Sequence, residues 1–179
     1  RFRRVTLKKL MAVAGLLLMS LVGNVQAQEI NDQNPYQLVK GVATKTFDRI
    51  KANQEQIKQD PEMLRTIMEE ELVPHIDYKF AAFMVLGKHF KSVPKEKMGE
   101  YISVFRQYLI TTYAVAMGYY DNQEVIFEPE SNFEDQKSVT VRAVVQDPER
   151  PEIKIAFKVR KDSKTNEWKA YDMVAEGIS

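Results

Sequence analysis

The residues best placed to do chemistry are two histidines, His75 and His89, and the acidic run Glu69-Glu70-Glu71. His75 stands two positions before Asp77, a spacing at which an imidazole and a carboxylate can meet in a turn. Acid–base catalysis would need such a pair beside a nucleophile, and no serine stands in a nucleophile-elbow context. Neither histidine has the H-E-x-x-H spacing that sets two imidazoles on one helical face around a metal. Consecutive helical residues point in three directions, so the three glutamates read as a solvated face rather than an acid/base pair. Gly41, Gly87, Gly99, Gly118 and Gly177 never cluster, which excludes a phosphate-cradling loop. With no cysteine in the chain there is no disulfide, no thiolate metal site, no cysteine nucleophile and no lipid-anchored cysteine. Neither catalysis, a metal nor a cofactor is expected.

What the sequence holds in quantity is apolar surface. Phe80, Phe83, Phe90, Tyr101, Phe105, Tyr108 and Tyr113 fall between Phe80 and Met117, along with Met84, Met98 and Met117 itself. Phe127, Phe157, Trp168, Tyr171 and Met173 follow in the C-terminal part. Aromatic rings supply large surfaces, and methionine adapts to a ligand without one fixed shape. Such residues build either an ordinary core or the lining of an apolar cavity, and composition leaves both open.

The elements that must position them follow from periodicity. Over residues 36–59, Val39, Ala43, Phe47, Ile50 and Ile57 recur at helical spacing. Asp60-Pro61-Glu62 opens a second helix, with Leu64, Ile67, Met68 and Leu72 on one face and Pro74 as its stop. An apolar stretch over 76–86 ends at Gly87, and Ser92-Val93-Pro94 opens a long helix closing at Gly118. The period then becomes two. Short strands are expected at 124–128, 138–146, 153–160 and 167–174, with turns at 147–151 and 162–166. Helices followed by a meander define an α+β domain, with helices packed on one face of a curved antiparallel sheet of four or five strands. That arrangement can enclose an apolar cavity.

The N-terminus reads as a secretory signal. Arg1, Arg3, Arg4, Lys8 and Lys9 precede an apolar run from Leu10 to Val22, and Val25-Gln26-Ala27 supplies small residues for cleavage near Ala27. As a helix the run spans only ~20 Å, short of the ~30 Å hydrocarbon layer, which argues against a retained anchor. Loss of residues 1–27 removes five basic and no acidic residues from 26 and 25, leaving a net charge of −4. A mildly acidic domain is a poor partner for nucleic acid. Residues 28–179 are expected to form a single exported domain, held together by its core and monomeric.

Several segments resemble one known family. Asn34-Pro35-Tyr36, Lys45-Thr46-Phe47-Asp48-Arg49-Ile50, Leu64-Arg65-Thr66-Ile67 and Glu71-Leu72-Val73-Pro74 look like the opening of the MlaC, or toluene-tolerance auxiliary, family. Val85-Leu86-Gly87 with Phe90-Lys91-Ser92, Phe105-Arg106-Gln107-Tyr108-Leu109, and the stretch from Trp168 to Ser179 continue the resemblance in order. It implies a non-enzymatic periplasmic carrier of glycerophospholipid between the outer and inner membranes of a Gram-negative cell, maintaining outer-membrane lipid asymmetry. The implied partners are an outer-membrane lipoprotein–porin complex and an inner-membrane ABC transporter with a lipid-binding ring subunit. Family members continue past the Glu-Gly-Ile-Ser stretch as a helical tail, which this sequence lacks. From periodicity, the acyl-chain contacts are expected at Phe83, Leu86, Phe105, Leu109, Tyr113, Val141, Ile155, Phe157 and Met173. Two other readings remain at this point: a small periplasmic α+β enzyme with a polar group in its cavity, and a chaperone-like binder of another apolar ligand.

Overall fold

The computed structural model describes residues 29–176; the expected export signal and Gly177-Ile178-Ser179 lie outside them. Helix α1 (Pro35–Ala52) starts where expected, because Asn34 accepts hydrogen bonds from the backbone of Tyr36 and Gln37 and Pro35 needs no donor at the first position. The single helix expected over 36–59 is broken. Asn53 has φ −114° and ψ 17°, and its side-chain amide donates to the Arg49 carbonyl at 2.7 Å beside its own backbone N–H at 3.2 Å, closing the helix there. A short α2 (Gln54–Gln59) follows.

The next helix also departs from its expected form. Helix α3 (Met63–Ile67) widens into a π-helical turn (Met68–Leu72) and then tightens into a 3-10 turn (Val73–His75). Pro74 lies in the first turn of that last piece, where its missing N–H costs nothing, so it does not act as a simple stop. Helix α4 (Tyr78–Leu86) is capped by the Asp77 carboxylate accepting from the Phe80 N–H. It ends at Gly87, and a 3-10 segment (Gly87–Ser92) leads to the long helix α5 (Lys95–Met117).

Strands β1 (Glu124–Phe127), β2 (Ser138–Gln146), β3 (Ile153–Lys161) and β4 (Trp168–Glu176) form a curved, open antiparallel sheet in the order β1-β2-β3-β4. The edge of β4 is partly covered. Ile76 bridges Ala170, and the Asp77 N–H donates to the Ala170 carbonyl at 2.8 Å, tying the entrance of α4 to the sheet. The β3–β4 register slips by one residue beside Lys158 and Val159, a bulge that bends the edge.

Two hydrophobic cores hold these elements. In one, Tyr36, Leu38, Val39 and Val42 of α1 pack on Val139, Val141, Val159 and Trp168. In the other, Ile50 joins Leu64, Ile67, Met68, Val73, Ile110 and Ala114. Helix α1 therefore reaches both, its N-terminal half on the sheet and its C-terminal end against α3 and α5.

Candidate functional site

Asp77 and the three glutamates, all candidates for acid–base chemistry, are spent on structure. Asp77 does not pair with His75. Its two oxygens accept from the Phe80 N–H and from Arg160 Nη1 at 3.0 Å, so it caps α4 and fastens it to β3. The Arg160 guanidinium also lies 4.0 Å from the centre of the Phe80 ring. His75 is half-buried, and burial, then the nearby Lys45 charge, lower its pKa.

In the glutamate run Glu69 and Glu70 stay exposed, as expected of a solvated face, and only Glu71 departs from it, though all three meet basic partners. Glu69 meets Arg106 of α5 at 2.9 Å and Glu70 meets Arg49 of α1 at 2.5 Å. Glu71 takes Arg49 at 2.6 Å and Lys45 at 3.0 Å, with only 11% of its side chain exposed. The π-helical turn aims these three acids at two different helices, so they work as clamps. Burial alone would raise the Glu71 pKa, but the hydrogen bonds from Lys45 and Arg49 outweigh it and hold the carboxyl below its ordinary range. Among the described residues no cluster of His, Cys, Asp and Glu has metal-site geometry.

The apolar candidates are arranged differently. Helix α4 fully buries only Ala81 and Ala82, and the 23-residue α5 only Ile110 and Ala114. Phe105, Leu109 and Tyr113 lie at i, i+4 and i+8 on one side of α5, all half-buried. Phe83 and Leu86 are half-buried on α4, with the Phe83 ring edge-on to Phe90 at 5.1 Å. The two helices are joined by the Tyr101 hydroxyl donating to the Ala82 carbonyl at 2.8 Å. Tyr101, Phe105 and Tyr108 form a chain of tilted rings 6.1 and 6.4 Å apart along α5. The result is an apolar seam along α4 and α5 whose large side chains are neither sealed in a core nor fully exposed.

The four candidates on the sheet separate from these five. The register places Val141, Phe157 and Met173 in one row across β2, β3 and β4, with Ile155 in the next row beside Ala143 and Ala175. Val141 is 1% exposed and sits in the core beneath α1, against which Phe157 also packs. Ile155 and Met173 are half-buried. Tyr113 leans on the second core, and burial, then the Asp172 carboxylate of β4, raise its phenol pKa. Helix and strand candidates thus share no one packing cluster.

The surface concavities among the described residues include two outside the seam. One, about 210 Å³, is lined by Arg142, Val144, Lys154, Ile155 and neighbours. The other, about 810 Å³, is a polar groove whose lining includes Asp121, Glu124, Asp147, Glu149 and Glu152. Neither lies between α5 and the sheet. An acidic, open groove does not suit an acyl chain.

Periodicity missed a further set. Val104, Tyr108 and Val115 on α5 are each about 60% exposed, as is Met84 on α4, while Val85 is 71% exposed. The signal was present in α5, since Val104, Tyr108 and Val115 recur at helical spacing one residue out of step with Phe105, Leu109 and the next turn. Together with Ile110 and Ala114, this makes α5 apolar on three sides, more than an amphipathic surface helix needs.

Fold and site together define an α+β binding domain with unspent apolar surface, and with Asp77 and Glu69-Glu70-Glu71 committed to clamps. The family profile described as MlaC protein matches residues 40–179, and the chain belongs to the MlaC family. It is 35% identical over 176 residues to the intermembrane phospholipid transport system binding protein MlaC of Haemophilus influenzae, covering 98% of this chain and 81% of that protein. It is 24% identical to the toluene tolerance protein ttg2D of Pseudomonas putida, over 82% of this chain and 67% of that one. A phospholipid-binding protein from Ralstonia solanacearum, solved in complex with a phospholipid, shares the fold. Its TM-score is 0.70 at 23% identity, over 81% of this chain and 79% of the other.

Proposed function

We propose that this chain is a phospholipid carrier whose exported part, residues 28–179, acts as one lipid-binding domain in the periplasm. The observation that carries the reading is the seam on α4 and α5. Phe83, Leu86, Phe105, Leu109 and Tyr113 are large, apolar and half-buried, while both cores close without most of them. Membership of the MlaC family and the phospholipid-transport naming of the Haemophilus relative support it.

The physics requires such a protein. Two acyl chains hold on the order of 30 methylenes, whose exposure to water costs about 24 kcal/mol at ~0.8 kcal/mol each. An apolar protein surface makes transfer out of a membrane nearly neutral. Phe83, Leu86, Phe105, Leu109 and Tyr113 contact acyl chains in this reading, with Ile155, Phe157 and Met173 continuing the surface on the sheet and Val141 supporting it from beneath. No proton transfer, metal or cofactor takes part, and the cargo is glycerophospholipid.

A passive binder only redistributes its ligand. Net movement between outer and inner membranes therefore comes from partners of different lipid affinity: an outer-membrane lipoprotein–porin complex and an inner-membrane ABC transporter with its lipid-binding ring subunit. Among the described residues no helix is long and apolar enough to cross a membrane. Solvent extraction of the purified protein, followed by mass spectrometry, tests the reading. A two-chain phospholipid in near-stoichiometric amount is expected, and protein free of such lipid would sink it.

A further inference from the structure

The elbow between α4 and α5 has a character unlike the rest of the molecule. Residues 79–97 contain Lys79, Lys88, Lys91, Lys95 and Lys97 against Glu96 alone, a local charge of +4. The described residues as a whole hold 21 basic and 25 acidic side chains, a net −4, so everything outside the elbow sums to −8. Lys97 is paired with Glu100 at 2.9 Å, while Lys79, Lys88, Lys91 and Lys95 are exposed and meet no carboxylate among the described residues. Between these lysines stand Met84, Val85 and Phe90, at 59%, 71% and 43% exposure. Gly87 turns the chain there with φ +51°, and a Cβ at that position would meet nothing within 4 Å.

We propose that this elbow is a docking surface for an anionic phospholipid bilayer. Bare lysines answer a negative lipid surface, and each contributes about fivefold to partitioning when it lies close to one. The interleaved Met84, Val85 and Phe90 enter the boundary between headgroups and acyl chains while the lysine stems reach back to the phosphates. The remainder of the molecule, net negative, is repelled by the same surface, so approach is oriented with the elbow forward. Phe90 packs on Phe83, which puts the docking tip against one end of the apolar seam. The proposal extends the carrier reading by naming the surface that meets the membrane, and it stands or falls separately from it.

Both cores and the whole sheet lie within residues 29–176, so a chain beginning at Gln28 carries the fold and avoids the apolar N-terminal run. The test is flotation of that protein with vesicles of phosphatidylethanolamine and phosphatidylglycerol (3:1), against vesicles of phosphatidylcholine alone. Binding is expected on the anionic vesicles only and is expected to weaken steeply between 50 and 500 mM salt. Lys88→Glu with Lys91→Glu lowers it more than about 25-fold. Val85→Ser lowers it several-fold at unchanged charge. Co-purified lipid is measured on each variant and stays at the unmutated level, which separates docking from cargo binding. Equal binding to neutral vesicles, no binding to anionic ones, or indifference to the charge reversal overturns the proposal. Binding to an acidic protein surface with none to vesicles likewise overturns it, assigning the elbow to a protein partner.

Discussion

The hydroxyl of Tyr101 in α5 donates to the carbonyl of Ala82 in α4 at 2.8 Å, joining the two helices that carry the apolar seam. The Arg106 guanidinium of α5 also lies 5.9 Å from the centre of the Tyr78 ring of α4, a contact less directed than a hydrogen bond.

Tyr101→Phe removes that bond and leaves the ring. A net hydrogen bond contributes about 1 kcal/mol, so a modest fall in the urea midpoint is expected. Retained phospholipid per protein falls further than the stability change alone implies, because the seam is no longer held at one spacing. Unchanged lipid content would show that the bond only stabilises the fold.

Residues of the seam and of the core respond oppositely. Leu109→Asn, on the half-buried side of α5, is expected to lower co-purified lipid with little change in melting temperature. Val141→Ala, 1% exposed beneath α1, costs roughly 1–3 kcal/mol of stability through lost burial and a residual cavity. Its lipid content stays near the unmutated level. Paired lipid extraction and thermal melts distinguish the two outcomes.

Glu71 makes stability depend on pH in a definite direction. Its folded pKa lies below the ordinary carboxylate value, so the folded state favours the ionised form. That stabilisation is complete above the unfolded pKa, about 4.3, and is lost as pH falls through the lower folded value. Glu71→Gln is expected to cost about 1.5 kcal/mol at pH 7, and the gap to the unmutated protein narrows below pH 4. Urea titrations at pH 7 and at pH 3.5 measure it; a constant gap would remove Glu71 from the acid response.

Gly87 has φ +51° and ψ −125°, a positive-φ conformation that glycine favours. The strain of Gly87→Ala is about 1–3 kcal/mol and wholly backbone in origin, since the added methyl meets no neighbour. A lowered melting temperature with a wider α4–α5 elbow is the expected result. Hydrogen exchange on residues 84–93 would report the loosening.

Much of the frame was legible because periodicity reports burial. The alternation of Val139, Val141, Ala143 and Val145 marked β2 with both ends in place, and the helical recurrence from Tyr36 marked the start of α1 to within one residue. The break at Asn53 was not legible, because it depends on a side-chain amide choosing the Arg49 carbonyl over water. Nor was the π-helical turn over Met68–Leu72, nor the pairing of Glu69 with α5 and of Glu71 with α1. Which apolar residues close a core was not legible, because Val141 and Leu109 are both aliphatic residues on an apolar face. Only the packing around them tells a closed core from a seam.

The separation of the two cores, one at each end of α1, has a consequence for how such a protein diverges. Neither core spends Phe83, Leu86, Phe105 or Leu109 as a closed member, so in the proposed carrier substitutions there would alter what is carried while leaving the frame that carries it. Selection on cargo and selection on folding act on different residues. A lineage can therefore change its lipid diet without first passing through an unstable ancestor.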